Sequence, residues 1–154
     1  MGSPSYDDIQ AGTEIAPRQY QVTRRDLVRY AGASGDFNVI HWNERIAKSV
    51  GLPDVIAHGM LTMALAGRFL TEWAGDPGAV AEYGVRFSAP VVVHDDDKGA
   101  TVEVTGTVTE KLDGRRVAVD VTARSEGTKV LTRARAVVKL TAVSAQGDDP
   151  LEPP

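Results

Sequence analysis

The second half of the chain alternates apolar and polar residues with a period of two, which is the pattern of β-strands with one buried face. Four such runs occupy residues 81–89, 101–109, 116–124 and 130–140. Hairpin-type turn pairs, Asp113-Gly114 and Glu126-Gly127, separate the last three runs. These three strands are therefore predicted to form an antiparallel meander with one face on a core and the other in water.

A first short helix is predicted over residues 24–32. Thr23 and Asp26 have the spacing of a capping box, in which each residue satisfies a free backbone N–H of the other. Gly32 and Gly35 are predicted to end the helix, because the residues around them are rich in turn formers and do not continue the helical pattern.

Two further helices are predicted before the long strands begin. One follows Asn43, whose side chain suits an N-cap, runs through Val50 and stops at Gly51. The other spans residues 59–73 and distributes its apolar side chains around the whole circumference, as in a helix buried on most sides. An antiparallel sheet curled around this helix would bury the apolar side chains of the helix and the apolar face of the sheet. The sequence therefore predicts an α+β architecture.

The two ends of the chain differ from its centre. Residues 12–22 indicate an irregular or edge strand, because Pro17 has no N–H to donate to a neighbouring strand. Residues 1–11 are polar and are predicted to be loosely ordered. The tail, residues 144–154, is rich in proline and acidic residues and is predicted to be disordered. The expected organisation is a single domain over residues 1–143 followed by this tail.

Composition and charge exclude several classes of function. The 154 residues suit one domain, and a net charge of −4 argues against general binding to nucleic acid, which requires a clustered basic face. The chain has no cysteine, so it has no disulfide and no thiolate nucleophile or ligand, as is common in a reducing cytoplasm. It shows neither a signal-peptide pattern nor an apolar run long enough to span a membrane, so no membrane partner is expected.

Asp36 and His41 are the candidate proton-transfer residues. They lie in the turn-rich segment between the first two predicted helices, where a carboxylate and an imidazole can both reach one water molecule. Histidine titrates near neutral pH, so it can both accept and release a proton there. Asn38 lies between them and can orient either side chain. Each of the two residues alone is more often structural than catalytic, and the pairing is what favours chemistry.

The segment Ala57-His58-Gly59-Met60 is the candidate site for a carbonyl oxygen. A backbone N–H at the start of a buried helix, backed by the positive end of the helix dipole, suits an oxygen that gains negative charge. Gly59 is the best candidate because its lack of a side chain lets a substrate approach, although it can equally serve only close helix packing. We interpret His58 as mainly structural and His94, which precedes three aspartates, as a solvated loop residue.

These candidate residues resemble the hydratase motif of one enzyme family. Residues 35–41 (GDFNVIH) and 57–60 (AHGM) resemble the MaoC-like dehydratases, the (R)-specific enoyl-thioester hydratases of hotdog fold. The resemblance covers nearly the whole chain. YAGASGDFNVIHW, IAHGMLTM, WAGDPGAV and YGVRF are particularly similar to the actinobacterial (3R)-hydroxyacyl-ACP dehydratase subunits of the HadB type. Val39 departs from the family pattern, which usually has proline there.

The resemblance implies a single hotdog fold and reversible syn addition of water to a trans-2-enoyl thioester, giving a (3R)-3-hydroxyacyl thioester. His41 would act as general base towards water, Asp36 would help to deliver the proton to C2, and the thioester carbonyl would lie on the Gly59 N–H. Asn38 and His58 would support these groups. No metal and no redox cofactor is implied, because the thioester already acidifies C2.

Two other functions stay open from the sequence. A hotdog thioesterase would hydrolyse the same ligands, but many such enzymes place a catalytic carboxylate on the central helix, where the first acid here is Glu72, near the far end. A non-catalytic subunit would supply only an acyl-binding groove to a partner. Family members join two sheets edge to edge. The expected partners are therefore a CoA or acyl carrier protein thioester and a second hotdog subunit, identical or different, joined through an exposed final strand.

Overall fold

Five strands form one antiparallel sheet in the computed structural model, which describes residues 3–140. They are β1 (Glu14–Val22), β2 (Val80–Phe87), β3 (Ala100–Leu112), β4 (Arg116–Ser125) and β5 (Thr128–Lys139). Their order across the sheet is β1-β3-β4-β5-β2. The predicted antiparallel meander of the last three strands is confirmed, since β4 pairs with both β3 and β5.

The helices lie where the sequence predicted them. They are α1 (Arg24–Ser34), α2 (Glu44–Ser49) and α3 (Gly59–Ala74), with a 3₁₀ turn (Val39–His41) between the first two. Asn43 caps α2, because its side-chain oxygen accepts a hydrogen bond from the backbone N–H of Ile46 at 3.1 Å. The predicted α+β architecture is confirmed. No helix among residues 3–140 is long and apolar enough to cross a membrane.

The capping box of α1 is confirmed, whereas the predicted end of this helix is partly wrong. The backbone N–H of Thr23 donates to the Asp26 carboxylate at 2.9 Å. Gly32 lies inside the helix rather than at its end, because a single glycine weakens a helix without terminating it. Gly35 ends the helix with a φ of 76°, a left-handed conformation that glycine adopts without steric cost.

The edges of the sheet are β1 and β2, so the expectation that the final strand is an exposed edge is wrong. The final strand, β5, lies between β4 and β2. The chain runs from β1 at one edge of the sheet through the helices to β2 at the other edge, where β2 pairs with β5. The alternation pattern does not predict this non-local pairing. Pro17 lies within β1 where the register with β3 shifts, as predicted for an irregular edge strand.

Helix α3 packs on the sheet along one stripe. The buried residues of the stripe are Thr62, Ala66, Phe69, Leu70 and Ala74. Met60 is 56% exposed, and Met63 and Leu65 are half-buried, so the prediction of a helix buried on most sides is wrong for the single chain. The sheet covers only the side of the helix that faces it, and an apolar residue on the other side needs a different cover.

The segment before β1 is packed on the sheet. Ile9 is 7% exposed, and the Tyr6 hydroxyl donates to the backbone oxygen of Leu112 at 3.1 Å. The prediction of a loose segment over residues 1–11 is therefore wrong for its described part, because a few apolar residues in a polar segment suffice to anchor it. The predicted tail, residues 144–154, and the predicted domain end at residue 143 lie outside the described residues.

Gly106 in β3 lets α3 approach the sheet closely. A Cβ atom at Gly106 would lie 2.9 Å from a ring carbon of Phe69, itself 1% exposed, and 3.1 Å from the terminal methyl of Ile15. We predict that Gly106→Ala lowers the free energy of unfolding by about 1–3 kcal/mol, because the added methyl overpacks a rigid core.

Gly84→Ala is the matched control for this change, because a Cβ atom at Gly84 meets nothing within 4 Å. It is predicted to stay within about 0.5 kcal/mol of the unchanged protein. Urea unfolding of the two variants measures both values. Equal stabilities for the two variants would contradict the close packing of α3 on Gly106.

Candidate active site

The loop between α1 and α2 presents the Asp36 carboxylate towards His41. Within the loop, Asp36 Oδ1 accepts a hydrogen bond from the Asn38 N–H at 3.1 Å, and Asn38 Oδ1 accepts one from the Ile40 N–H at 3.3 Å. Side chains that bond to backbone N–H groups two residues later are typical of tight, ordered turns. The second carboxylate oxygen of Asp36, Oδ2, lies 4.0 Å from His41 Nε2.

Asn38, whose side chain caps the 3₁₀ turn, precedes Val39, the position at which the related family usually has proline. Val39 is the first residue of the 3₁₀ turn and is 38% exposed. Asn38, which precedes it, has φ −54° and ψ 126°, and this ψ lies in the range that a residue before proline adopts. The ψ of Asn38 is therefore compatible with proline at position 39, and the hydrogen bond from the Ile40 N–H to the Asn38 side chain helps to hold the turn.

The imidazole of His41 is held in one tautomer. Its Nδ1 lies 2.7 Å from the backbone oxygen of Ile56. A carbonyl oxygen can only accept a hydrogen bond, so Nδ1 must be the protonated nitrogen and Nε2 is left with its lone pair towards Asp36. His41 is 7% exposed, so little freedom remains to rotate the ring. This is the tautomer that a general base requires.

Burial lowers the pKa of His41. Desolvation of the charged form is the largest cause and lowers the pKa, as does the neighbouring His58; the hydrogen bond to Ile56 and the charge of Asp36 act in the opposite direction. The net shift is downward from the ordinary value of 6.5. His41 is therefore neutral at pH 7, with its Nε2 lone pair available to accept a proton.

His58 links the Asp36 loop to the start of α3. It is 1% exposed, its Nε2 lies 3.1 Å from the backbone oxygen of Asp36, and its ring stacks on that of His41 with centroids 3.8 Å apart. The ring of Tyr30 also packs against the ring of His58, with the two centroids 4.9 Å apart. Within residues 3–140 its Nδ1 has no hydrogen-bond partner. The supporting role stays a prediction, and a hydrogen bond from Nε2–H to Asp36 gives it a physical form.

A pocket of about 320 Å³ opens beside His41. The pocket lies between the 3₁₀ turn, the segment before α3, α3 itself, the end of β2 with the residues after it, and β5. Its lining residues include His41, Ile56, Gly59, Thr62, Phe87 and Val130. Gly59 is the first residue of α3, where a backbone N–H has no partner within the helix. A Cβ atom here would lie 3.2 Å from the Phe87 ring, so the glycine serves close packing as well as an open approach.

Within residues 3–140, Asp36, His41 and His58 form a group that could hold a metal ion. One potential ligand atom of each lies within 4.8 Å of the others. The two imidazole rings are stacked at an interplanar angle of 23°, however, and the lone pair of an imidazole nitrogen lies in the ring plane. Lone pairs in two stacked planes do not converge on one ion unless a ring rotates. The expectation that the protein needs no metal stays a prediction.

The other two candidate residues lie away from the pocket. Glu72 is 13 residues after Gly59, which corresponds to about 20 Å along the helix. It accepts hydrogen bonds from the Tyr20 hydroxyl at 2.9 Å and from Arg68 at 2.6 Å. His94 is half-exposed, as expected of a solvated loop residue, and lies 3.4 Å from Asp54 Oδ2 and 3.8 Å from Glu126 Oε1.

Three contacts in or near this site were not predicted from the sequence. These are the Ile56 carbonyl, the Phe87 ring over Gly59, and the buried ion pair of Arg24 with Asp54. Only the ion pair had a local signal, because Asp54 is the one charged residue between Lys48 and Arg68. The other two depend on which distant segments the sheet brings together.

Known proteins of one family are similar to this chain in sequence and in fold. The MaoC like domain family matches residues 8–129. An (R)-specific enoyl-CoA hydratase of Rhodospirillum rubrum is 36% identical over 107 residues, which are 69% of this chain and 73% of that protein. A 3-hydroxybutyryl-CoA dehydratase of Methylorubrum extorquens is 33% identical over 137 residues, 88% of this chain and 83% of that protein.

A solved structure of a MaoC-like dehydratase superposes with a TM-score of 0.86 at 47% sequence identity. The match covers 91% of this chain but only 43% of that longer chain. The sheet wrapped on α3 is thus the predicted hotdog fold. With a family match over most of its length, this chain belongs to the MaoC-like dehydratases.

Proposed function

We propose that this protein catalyses the reversible hydration of trans-2-enoyl thioesters to (3R)-3-hydroxyacyl thioesters. The observation that supports this most strongly is the pair formed by His41 and Asp36. A neutral imidazole with its tautomer fixed by Ile56 lies 4.0 Å from a half-exposed carboxylate, at the wall of an apolar pocket. One water molecule between the two groups would contact both. The thioester carrier is CoA or an acyl carrier protein.

The proton transfers follow from the free Nε2 lone pair of His41 and the position of Asp36 beside it. In hydration, His41 Nε2 accepts a proton from water while the water oxygen bonds to C3 of the substrate. The electron pair of the double bond moves towards the thioester carbonyl. As the carbonyl re-forms, C2 takes the proton that His41 removed from the water, delivered with the help of the Asp36 carboxylate, so both groups end in their starting states. Both groups act from the same side of the substrate, so addition is syn. Dehydration follows the same steps in reverse.

The thioester carbonyl gains negative charge in this reaction and needs a hydrogen-bond donor. We place it on the N–H of Gly59, which begins α3, lines the same pocket as His41 and lies at the positive end of the helix dipole. Neither a metal nor a redox cofactor takes part in this scheme. A thioesterase is less well supported, because the first carboxylate on α3, Glu72, is hydrogen-bonded at the other end of the helix.

A second hotdog subunit, identical or different, is proposed to cover the site. Large apolar side chains around it are between 38% and 63% exposed, namely Phe37, Val39, Trp42, Met60 and Phe87. The edge strand β2, which ends at Phe87, lies beside this surface. No other strand within residues 3–140 pairs with its outer side, so a strand of a second subunit can pair there. The mass of the purified chain in solution tests this: a monomer that hydrates enoyl thioesters would contradict it. A cytoplasmic location stays a prediction.

Asp36→Asn and His41→Ala are each predicted to lower turnover of crotonyl-CoA by roughly 10² or more, because each removes a proton-transfer group. Loss of the enoyl absorbance measures hydration, and circular dichroism shows whether the variants fold. Asp120→Asn, an exposed carboxylate on β4, is the control and should keep normal turnover.

Normal turnover in folded Asp36→Asn and His41→Ala would contradict the mechanism. Release of free thiol without a 3-hydroxy product would indicate the thioesterase instead. A chain that binds enoyl thioesters without converting them, alone or with a partner, would indicate the non-catalytic subunit.

The role of the Gly59 N–H is tested with proline. Proline lacks this N–H yet is tolerated at the first position of a helix, and His58, with φ −57° and ψ 132°, already has a conformation compatible with a following proline. Gly59→Pro is predicted to lower turnover by roughly 10²–10³ relative to Gly59→Ala, as expected for loss of an oxyanion donor.

Gly59→Ala is the matched control, because both variants place a Cβ atom against the Phe87 ring and only the proline removes the donor. Steady-state hydration of crotonyl-CoA by both variants gives the comparison. Equal turnover in the two would rule out the Gly59 N–H as the donor to the thioester carbonyl.

A further inference from the structure

Asp54 is a buried carboxylate that the proposed reaction does not use. It is 8% exposed, and its Oδ1 lies 2.7 Å from Nη2 of Arg24 and 2.7 Å from the Val55 N–H. Its Oδ2 lies 3.4 Å from Nδ1 of His94. A buried carboxylate destabilises a fold unless it is paired and hydrogen-bonded. These contacts explain how the charge is tolerated, and its position indicates what it does.

Arg24 joins three parts of the chain that are distant in sequence. It is the first residue of α1, its Nε donates to the backbone oxygen of Val93 at 2.6 Å, and its Nη2 donates to Asp54. A third contact, to Glu44, is longer at 3.5 Å. Because the donors of a guanidinium lie in one rigid plane, two short bonds from the same group fix the two acceptors relative to each other.

Segment 54–57 connects this ion pair to the acceptor of His41. Two backbone hydrogen bonds, of 2.8 and 2.9 Å, join the segment to residues 91–93. Between them, the carbonyl oxygen of Ile56 faces away from residues 91–93 and accepts the 2.7 Å hydrogen bond from His41 Nδ1. The position of this oxygen therefore depends on how the segment lies against residues 91–93, which Arg24 and Asp54 clamp together at one end.

We propose that Arg24 and Asp54 are positioning residues for His41. Their ion pair holds segment 54–57 against residues 91–93 and so places the Ile56 carbonyl that selects the tautomer and the direction of the imidazole. The inference rests on the proposed role of His41 as general base. It assigns a function to a buried ion pair that contacts neither the pocket nor the reacting atoms.

The charges around the two groups allow this role to be separated from a direct electrostatic one. The charged or titratable groups that act on His41 are His58 and Asp36, while those facing Asp54 are Arg24, His94 and Glu44. Removing the positive charge of Arg24 would raise the pKa of His41 if it acted through space. Loosening the Ile56 hydrogen bond, which raises the pKa of His41, would instead lower that pKa.

The experiment compares Arg24→Gln, Arg24→Lys and Glu44→Gln with the unchanged protein in hydration of crotonyl-CoA across pH. Arg24→Gln is expected to lower kcat by roughly 10- to 100-fold with little change in KM, because a base displaced by a fraction of an ångström loses its alignment. The acid limb of the kcat/KM profile is expected to move to lower pH. Arg24→Lys keeps the positive charge but loses the planar set of donors that bonds both Val93 and Asp54. It should therefore also move the acid limb to lower pH.

Glu44→Gln is the matched control, since among the contacts of Arg24 it weakens only the long one. It also removes the exposed ion pair of Glu44 with Lys48 within α2, which touches neither Asp54 nor residues 91–93. It should leave kcat, KM and the acid limb unchanged. Normal kinetics in folded Arg24→Gln, or a limb that moves to higher pH, would overturn the proposal. If Arg24→Gln does not fold, Arg24→Lys decides the matter by the same criteria.

An NMR measurement separates this proposal from the proposed function. The Nδ1–H resonance of His41 should be observable and downfield in the unchanged protein, and should move upfield or exchange faster in Arg24→Lys. That result would support the positioning role even if the unchanged protein hydrates no enoyl thioester, which would contradict only the function. An unchanged resonance in Arg24→Lys would overturn the positioning role.

Discussion

The hydrogen bond from His41 Nδ1 to the Ile56 carbonyl is the contact on which the site depends. At 2.7 Å it decides which imidazole nitrogen keeps its lone pair, and it turns that nitrogen towards Asp36. Without it, a neutral histidine would be free to exchange tautomers and the ring could rotate. The fold around the site mainly holds the two ends of this bond in place. The imidazole comes from the 3₁₀ turn, and the carbonyl comes from the segment before α3.

Three kinds of force hold these ends together, and each acts at a different distance from the chemistry. Side-chain caps within the loop, from Asp36 and Asn38, set the local backbone. The stacked ring of His58 joins the loop to the start of α3 and contributes to the low pKa of His41. The packing of Phe69 on Gly106 keeps α3 on the sheet. Burial therefore has two effects: it stabilises the fold, and it keeps His41 neutral.

The sequence predicts those features that depend on local chemistry. The capping box at Thr23, the cap at Asn43 and the period-two strands were all found where the pattern indicated. The pairing of Asp36 with His41 followed from a motif within one loop, and the structure brings their side chains together, although their catalytic roles stay a proposal. Short-range rules suffice here, because each feature involves residues that are neighbours in the chain.

What the sequence did not predict depends on non-local contacts. The placement of β2 beside β5 follows from a long connection, and the pairing of Arg24 with Asp54 joins residues 30 positions apart. The exposure of Met60 was also missed, because apolar character alone does not say whether the same chain or another subunit provides the cover. Local periodicity has no information about such contacts.

The central claim is that one imidazole and one carboxylate act on a single water from one side of the substrate. Hydration of crotonyl-CoA in deuterium oxide, with the configuration of the product determined at C2 and C3, tests it most directly. We expect a single (3R)-3-hydroxy product with deuterium and hydroxyl added to the same face. A (3S) product, or addition to opposite faces, would contradict the arrangement of Asp36 and His41 as the proton-transfer pair.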